Sequence, residues 1–225
     1  MFRRFIVAID GPAGSGKSTS AKLVAQRLNF LYIDTGAMYR AITFLAMEFD
    51  ILSEHYKISK LAESCTMKLE FVGGRTKIFV DGDDLTDEIR SPEVNSHVSE
   101  VSKIIGVRKA LVKKQREMAV EHGGVVMEGR DIGTVVFPDA DVKIYLTASI
   151  DERSIRRSKE FADQGKNVSL DLVKENLLRR DIIDSTREIA PLSKADDAIE
   201  VDTSYKTIEE QVEIILEIVN NKLKK

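Results

Sequence analysis

Five short apolar runs recur along the chain: "FIVAI" at 5–9, "FLYI" at 30–33, "GVVM" at 124–127, "VKIYL" at 142–146 and "AIEV" at 198–201. The continuous run "FIVAI" suits a strand buried on both faces of a parallel sheet, and the others are further strand candidates. Between them the period changes. Residues 17–28 place Ala21, Val24, Ala25 and Leu28 on one helical face, 37–49 form a strong helical candidate, and the tail 207–223 carries Ile208, Val212, Ile215 and Val219 at spacings of four, three and four. Strands alternating with helices predict an α/β fold, with a central parallel five-stranded sheet flanked by helices.

One stretch departs from that rhythm. "MKLEFVGGRTKIFVDGDDLT" (67–86) holds two alternating runs around Gly73-Gly74, which reads as a β-hairpin. It predicts a small inserted subdomain with antiparallel strands over roughly 53–100, within a single domain of 1–225. There is no internal repeat and no low-complexity linker. A chain of 225 residues is long enough for one core with such an insertion.

Composition narrows the function classes. The net charge of −3 argues against a surface built for nucleic acid. Cys65 is the only cysteine, so no internal disulfide forms and a reducing compartment is expected. No apolar run approaches the ~18 residues of a membrane span, and "FIVAI" behind Arg3-Arg4 is too short for a signal-peptide core. The expectation is a cytoplasmic protein with small-molecule partners.

The chemistry begins at Gly11-Pro12-Ala13-Gly14-Ser15-Gly16-Lys17-Ser18, followed by Thr19, which fits G-x-x-x-x-G-K-[ST] between a strand and a helix. Glycines let backbone N–H groups converge on phosphate oxygens, and the helix adds its positive end. Lys17 brings a charge to the β- and γ-phosphates and Ser18 a hydroxyl to Mg²⁺. A nucleoside triphosphate is therefore the expected ligand. A GTPase switch is disfavoured: Asn221-Lys222-Leu223-Lys224 lacks the aspartate of a guanine reader, and no Asp-x-x-Gly occurs in the chain.

Other polar residues cluster after predicted strands. In open α/β sheets ligands gather at the carboxyl ends of the strands, so Asp34, Thr35, Arg40, Glu128, Arg130 and Asp131 are expected on the side of the Gly11–Ser18 loop. Arginine forks suit phosphate oxygens, and two facing phosphate sites imply transfer between two small molecules. Arg153, Arg156 and Arg157 lie a helical turn apart, while Arg180, Asp184 and Arg187 fall at i, i+4 and i+7, on one face of a helix. Salt-bridged surface helices share that spacing. Phosphoryl transfer gives it another use, since charge spreading over the transferred group needs cations and a water-excluding lid. The lid is expected over 151–170, with the polar "FADQGKNVS" (161–169) as hinge or tip.

The segments "IDGPAGSGKST", "YIDTGAMYRA", "EGRDIGTVVFPDADVKIYLTAS" and "RRDIIDSTREIAPL" resemble, in order, the signatures of bacterial cytidylate kinases, from the first strand to about residue 202. The resemblance implies a P-loop nucleoside monophosphate kinase that moves the γ-phosphate of ATP to CMP or dCMP with Mg²⁺, working as a monomer. The insertion would enlarge the region that binds the monophosphate. Arg40 and Arg130 would hold the acceptor phosphate, with Asp34 and Thr35 near the acceptor. Ser99, Arg108 and Asp131 would read cytosine, although the same stretch offers Ser96 and Ser102. Arg180 would bridge the phosphates, Asp184 would hold the ribose, Arg187 would add charge near the acceptor phosphate, and Arg156 would face ATP from the lid. Lys17, Arg130, Arg156 and Arg180, with Asp34, are thus the expected catalytic groups, and Ser18 the metal-facing one.

Cytosine chemistry fits such a set. Its N4 amine donates to a carboxylate, while N3 and O2 accept from an arginine or serine. Uracil presents O4 where a donor is wanted, which discriminates against it by several kcal/mol. No general base is needed, because the attacking phosphate oxygen is already anionic. His55, His97 and His122 show no metal spacing and are expected outside the chemistry, and Cys65 is expected as a small buried apolar group. Kinases of UMP, AMP or shikimate, and a non-catalytic nucleotide switch, are the competing readings.

Overall fold

The computed structural model describes residues 4–72, 75–120, 122–163, 165 and 167–224. The strands are β1 (Phe5–Asp10), β2 (Leu31–Asp34), β3 (Met67–Val72), β4 (Arg75–Val80), β5 (Asp83–Asp84), β6 (Gly124–Gly129), β7 (Val142–Thr147) and β8 (Ile199–Asp202). The α-helices are α1 (Lys17–Leu28), α2 (Thr35–Glu48), α3 (His55–Ser64), α4 (Pro92–Val101), α5 (Ile105–Val120), α6 (Ile150–Asp163), α7 (Leu170–Thr186) and α8 (Ile208–Leu223). Five strands form the central sheet in the order β2-β6-β1-β7-β8, and β3, β4 and β5 form a separate three-stranded sheet. By their contacts the residues fall into two compact units, one up to Leu31 together with everything from Gly123 onward, the other Tyr32–His122.

In the first unit β1 lies between β6 and β7, parallel to both. Val7, Ala8 and Ile9 have no exposed surface, as expected of a strand covered on both faces. Val125, Val126 and Met127 of β6 and Ile144 and Leu146 of β7 are equally buried. The register sets Asp10 beside Gly129 on one side and Tyr145 on the other, so β1 and β6 end at one level and β7 runs two residues further. The chain leaves that level in loops that carry the polar residues of interest. Helix α8 opens on a capping box in which the Thr207 side chain accepts from the Glu210 N–H and Glu210 accepts from the Thr207 N–H.

The second unit has its own core, with Met38, Ile42, Ile58, Ile78, Ile89 and Leu111 at its centre and Cys65 among them, as expected. β3 and β4 pair antiparallel in a hairpin that β5 extends; the expected turn at Gly73-Gly74 lies outside the described residues. The expected insertion, 53–100, lies within this unit and holds more helix than its alternation suggested. α3 and α4 are amphipathic with narrow stripes, α3 burying only Ile58 and Ala62. Ser91 caps α4 by accepting from the Val94 N–H, with Pro92 as its first helical residue.

Candidate active site

The turn from β1 into α1 has the backbone of a phosphate-binding loop. Gly11, at φ 146°, passes so close to β7 that a Cβ there would meet the Leu146 carbonyl oxygen at 2.0 Å. Gly16, at φ 89°, is the left-handed residue before α1, and a Cβ on it would press on Gln211 Oε1 at 2.7 Å. Ser15 and Lys17 are buried, whereas Ser18 and Thr19 are exposed on the first turn of α1. Lys17 Nζ donates to the Pro12 carbonyl at 2.6 Å and to Ser15 Oγ at 3.4 Å, folding its charge back over the loop. Ser18 Oγ donates to Glu128 Oε2 at 3.0 Å. Burial, then Arg130, push the Lys17 ammonium down to about 7, with Arg180 acting in the same direction and Glu128 and Asp10 against it. Several cations thus crowd one loop in a way that an anion would relieve.

Two further side chains brace the loop. Arg153 of α6 donates from Nη1 to the Ala13 carbonyl and from Nε to the Ala148 carbonyl, and pairs with Asp181 of α7 at 2.7 Å. Thr203, just after β8, donates to the Ser15 carbonyl and receives Arg156 Nη1 at 3.0 Å, while Arg156 Nη2 reaches the Thr203 carbonyl. Arg156 therefore sits beside the loop, with Nη1 3.8 Å from where a Gly16 Cβ would lie.

Beyond β6 lies a second cluster. Arg130 Nε donates to Asp184 Oδ2 at 3.0 Å. Burial works against the Arg130 charge, but Asp184, Glu128 and Asp181 outweigh it and raise its pKa. Asp131 and Arg187 are both buried, with Oδ1 and Nη2 4.0 Å apart. Arg187 corrects one expectation. It does not continue the helical face of Arg180 and Asp184, because α7 ends at Thr186 and Arg187 is extended at φ −62°, ψ 141°. The chain turns back there: the Leu192 N–H donates to the Asp184 carbonyl, and Arg187 Nε to the Ala190 carbonyl, so the end of α7 is closed by the next turn. After Asp131 the backbone makes a π-helical turn over Ile132–Val136. Asp10, a residue sequence reasoning had left aside, accepts from the N–H groups of Ile132 and Gly133, both at 2.8 Å.

The second unit carries the remaining expected residues. Asp34 accepts from the Ala37 N–H at 2.9 Å as the cap of α2, and its other oxygen pairs with Arg40 Nη2 at 3.2 Å. Thr35 is buried on the first turn of that helix. Arg108 is buried with its guanidinium over the Tyr39 ring and its Nη1 donating to the Ser102 carbonyl. Ser99 is 4% exposed and lies on α4; Ser102 is also buried, but its hydroxyl donates to the Ser99 carbonyl, and Ser96 is exposed with its hydroxyl on the Glu93 carbonyl. Among the described residues no group of three or more His, Cys, Asp or Glu is arranged to hold a metal ion.

The sequence profile of the family described as cytidylate kinase matches residues 7–221. The chain belongs to the cytidylate kinase family. A cytidylate kinase of Bacillus licheniformis is 48% identical over 227 residues, covering 100% of both chains. One from a Geobacillus species is 49% identical over 218 residues, covering 96% of this chain and 97% of the relative. An uncharacterized protein of Eubacterium ventriosum has a similar solved structure, with a TM-score of 0.53 at 13% identity, covering 97% of this chain and 99% of that one, a likeness of fold alone. The family assignment makes the chain a phosphotransferase. The braces seen here had only weak sequence signals. Asp10 is one carboxylate ending an apolar run, Arg153 one of three neighbouring arginines, and Thr203 a threonine shortly after the last predicted strand.

Proposed function

We propose that the chain transfers the γ-phosphate of ATP to CMP or dCMP, giving CDP or dCDP. The observation that carries this reading is the family match over residues 7–221, supported by a glycine loop with a buried Lys17 whose charge Arg130 and Arg180 oppose. Lys17 and the loop N–H groups hold the donor phosphates. Arg40 and Arg130 hold the acceptor phosphate, and Arg180 with Arg156 neutralises charge as the phosphoryl group moves between two anions. Asp131 accepts from the cytosine amine, Arg108 and Ser99 donate to N3 and O2, Asp184 binds the ribose and Arg187 adds charge near the acceptor phosphate. Asp34 and Thr35 stand near the acceptor. The side chains beside Lys17 suit Mg²⁺, because Ser18 Oγ and Glu128 Oε2 are paired oxygen donors of the hard type that ion prefers. When bound, the ion would offset charge on the donor phosphates. The region 53–100 serves the acceptor and 151–170 acts as the lid. We read the enzyme as a cytoplasmic monomer in pyrimidine nucleotide metabolism.

Incubation with ATP, Mg²⁺ and CMP, followed by separation of the nucleotides, tests this reading. It predicts CDP and ADP in equal amounts. ADP and free phosphate without CDP would show a nucleotide hydrolase or switch instead.

A further inference from the structure

The carboxylate of Asp10 is 5% exposed, and nothing in the proposed reaction uses it. Burial pushes its pKa up to about 6, against the pull of the Gly133 and Ile132 N–H groups and of Lys17, while Asp131 adds to the rise. An acid so placed is costly to bury, and its geometry shows what it does there. Oδ1 takes the Ile132 N–H and Oδ2 the Gly133 N–H, each at 2.8 Å. Those are the first two N–H groups of the π-helical turn, donors with no partner within the turn itself. The Asp131 carbonyl in turn accepts from Val135 and Val136 at 2.8 and 3.1 Å, and the Ile132 carbonyl from Phe137 at 2.7 Å. Turns of this kind are rare and concentrate at functional sites. The clamped pair directly follows Arg130 and Asp131. At its other end Asp10 is joined to Gly11, the first residue of the glycine loop.

We propose that Asp10 is a positioning residue: its two-pronged hold on Ile132 and Gly133 fixes Arg130 and Asp131 for the acceptor nucleotide, and its place at the end of β1 ties that turn to the loop that grips the donor. The proposal rests on the reading of Arg130 and Asp131 as acceptor-binding residues. A residue that only supported the fold would affect both nucleotides alike. A clamp on the 130–137 turn acts chiefly on the acceptor, because the glycine loop keeps its own braces from Arg153 and Thr203; the Asp10 charge also favours the Lys17 ammonium, so a smaller effect on the donor side is expected.

Three variants test it: Asp10→Asn, nearly isosteric and keeping one acceptor oxygen; Asp10→Ala, keeping neither; and Gly133→Ala, whose Cβ would press on the flexible Lys143 stem at 3.1 Å and touch Asp10 Oδ2 at 3.4 Å, altering the surroundings of the clamp but not its groups. Two readouts are taken on the full chain. Hydrogen exchange of the peptide over 130–137 reports the clamp without reference to activity, and it should speed up about tenfold in Asp10→Asn and further in Asp10→Ala, with the 11–18 peptide unchanged. Steady-state kinetics should show KM for CMP rising about tenfold while KM for ATP stays within about twofold, because a misplaced positioning group costs alignment and not donor binding. Combining Asp10→Asn with Gly133→Ala should give less than the product of the single effects. Unchanged exchange over 130–137 would overturn the clamp. Equal losses for CMP and ATP, or faster exchange with an unaltered KM for CMP, would overturn its role in positioning. If the wild type failed to phosphorylate CMP, the functional reading would fall, and the exchange data would still decide the clamp.

Discussion

At the scale of single residues, much of the site is held by charges in places that disfavour them. Lys17 is buried beside Arg130 and Arg180 and its ammonium is pushed down to about 7, a cluster that a polyphosphate would satisfy. Lys17→Ala should therefore lower kcat about a hundredfold or more, with the circular dichroism spectrum unchanged; near-normal turnover would remove its assigned role. Asp10 yields a pH prediction. Its folded pKa of about 6 stands above the usual 3.8, so the folded state holds this proton more tightly than the unfolded chain. Stability from this group is thus fully present below about 4 and is lost as pH rises towards about 6. Asn cannot ionise, so the melting temperature of Asp10→Asn relative to wild type should climb between pH 4.5 and 7. Lys17 and Asp131 face Asp10, and the Asp10 charge in turn favours the Lys17 ammonium; a difference that stayed flat with pH would refute the assignment. The glycine loop, Arg40 and Arg130 were legible in the sequence because each follows a predicted strand within a recognisable motif. Asp10 was not: a lone carboxylate after an apolar run carries no sign of the two N–H groups that reach it from residues 132 and 133.

At the scale of elements, α6 and α7 are joined to the loop through one buried arginine. Arg153 spans the Ala13 carbonyl, the Ala148 carbonyl and Asp181, and Ala13 also packs with Val173 and Leu177 of α7. Replacing Arg153 with Met keeps most of the bulk but leaves Asp181 without this partner. Asp181 is 24% exposed, so the cost should be about 2 kcal/mol, less than for a fully buried broken pair. Urea unfolding measures it, and Arg153→Met with Asp181→Asn should recover part of the loss. Strands β1 and β6 were legible because strands covered on both faces are unbroken apolar runs, whereas the edge strand β8, with only Val201 buried, offered a weaker signal. Helices α3 and α4 bury narrow stripes within polar sequence, and the antiparallel runs at 67–80 dominated the reading of that region. The end of α7 shows the limit of spacing arguments: Arg187 stands seven residues after Arg180, yet the return of the chain through Ala190 and Leu192 takes it off the helix.

At the scale of the whole molecule, the proposed roles fall to different residues of the chain. The glycine loop, Arg130, Asp131 and the arginines of α6 and α7 belong to one compact unit, and Asp34, Arg40, Ser99 and Arg108 to the other. The proposed reading gives the donor to the Gly11–Ser18 loop and the base to Asp131, so acceptor-side changes should spare the donor. Asp131→Ala should lower kcat/KM for CMP by about a hundredfold while nucleotide titration shows ATP affinity within about twofold, and an equal loss of both would remove Asp131 from base reading. The central claim, that this arrangement selects cytosine, is tested most directly by initial rates with CMP, dCMP, UMP, AMP and shikimate as acceptors under one concentration of ATP and Mg²⁺. The account predicts that CMP or dCMP has the highest kcat/KM, with UMP lower by about a hundredfold or more, because O4 meets the Asp131 carboxylate where N4 would donate. Faster turnover of UMP, AMP or shikimate would contradict it.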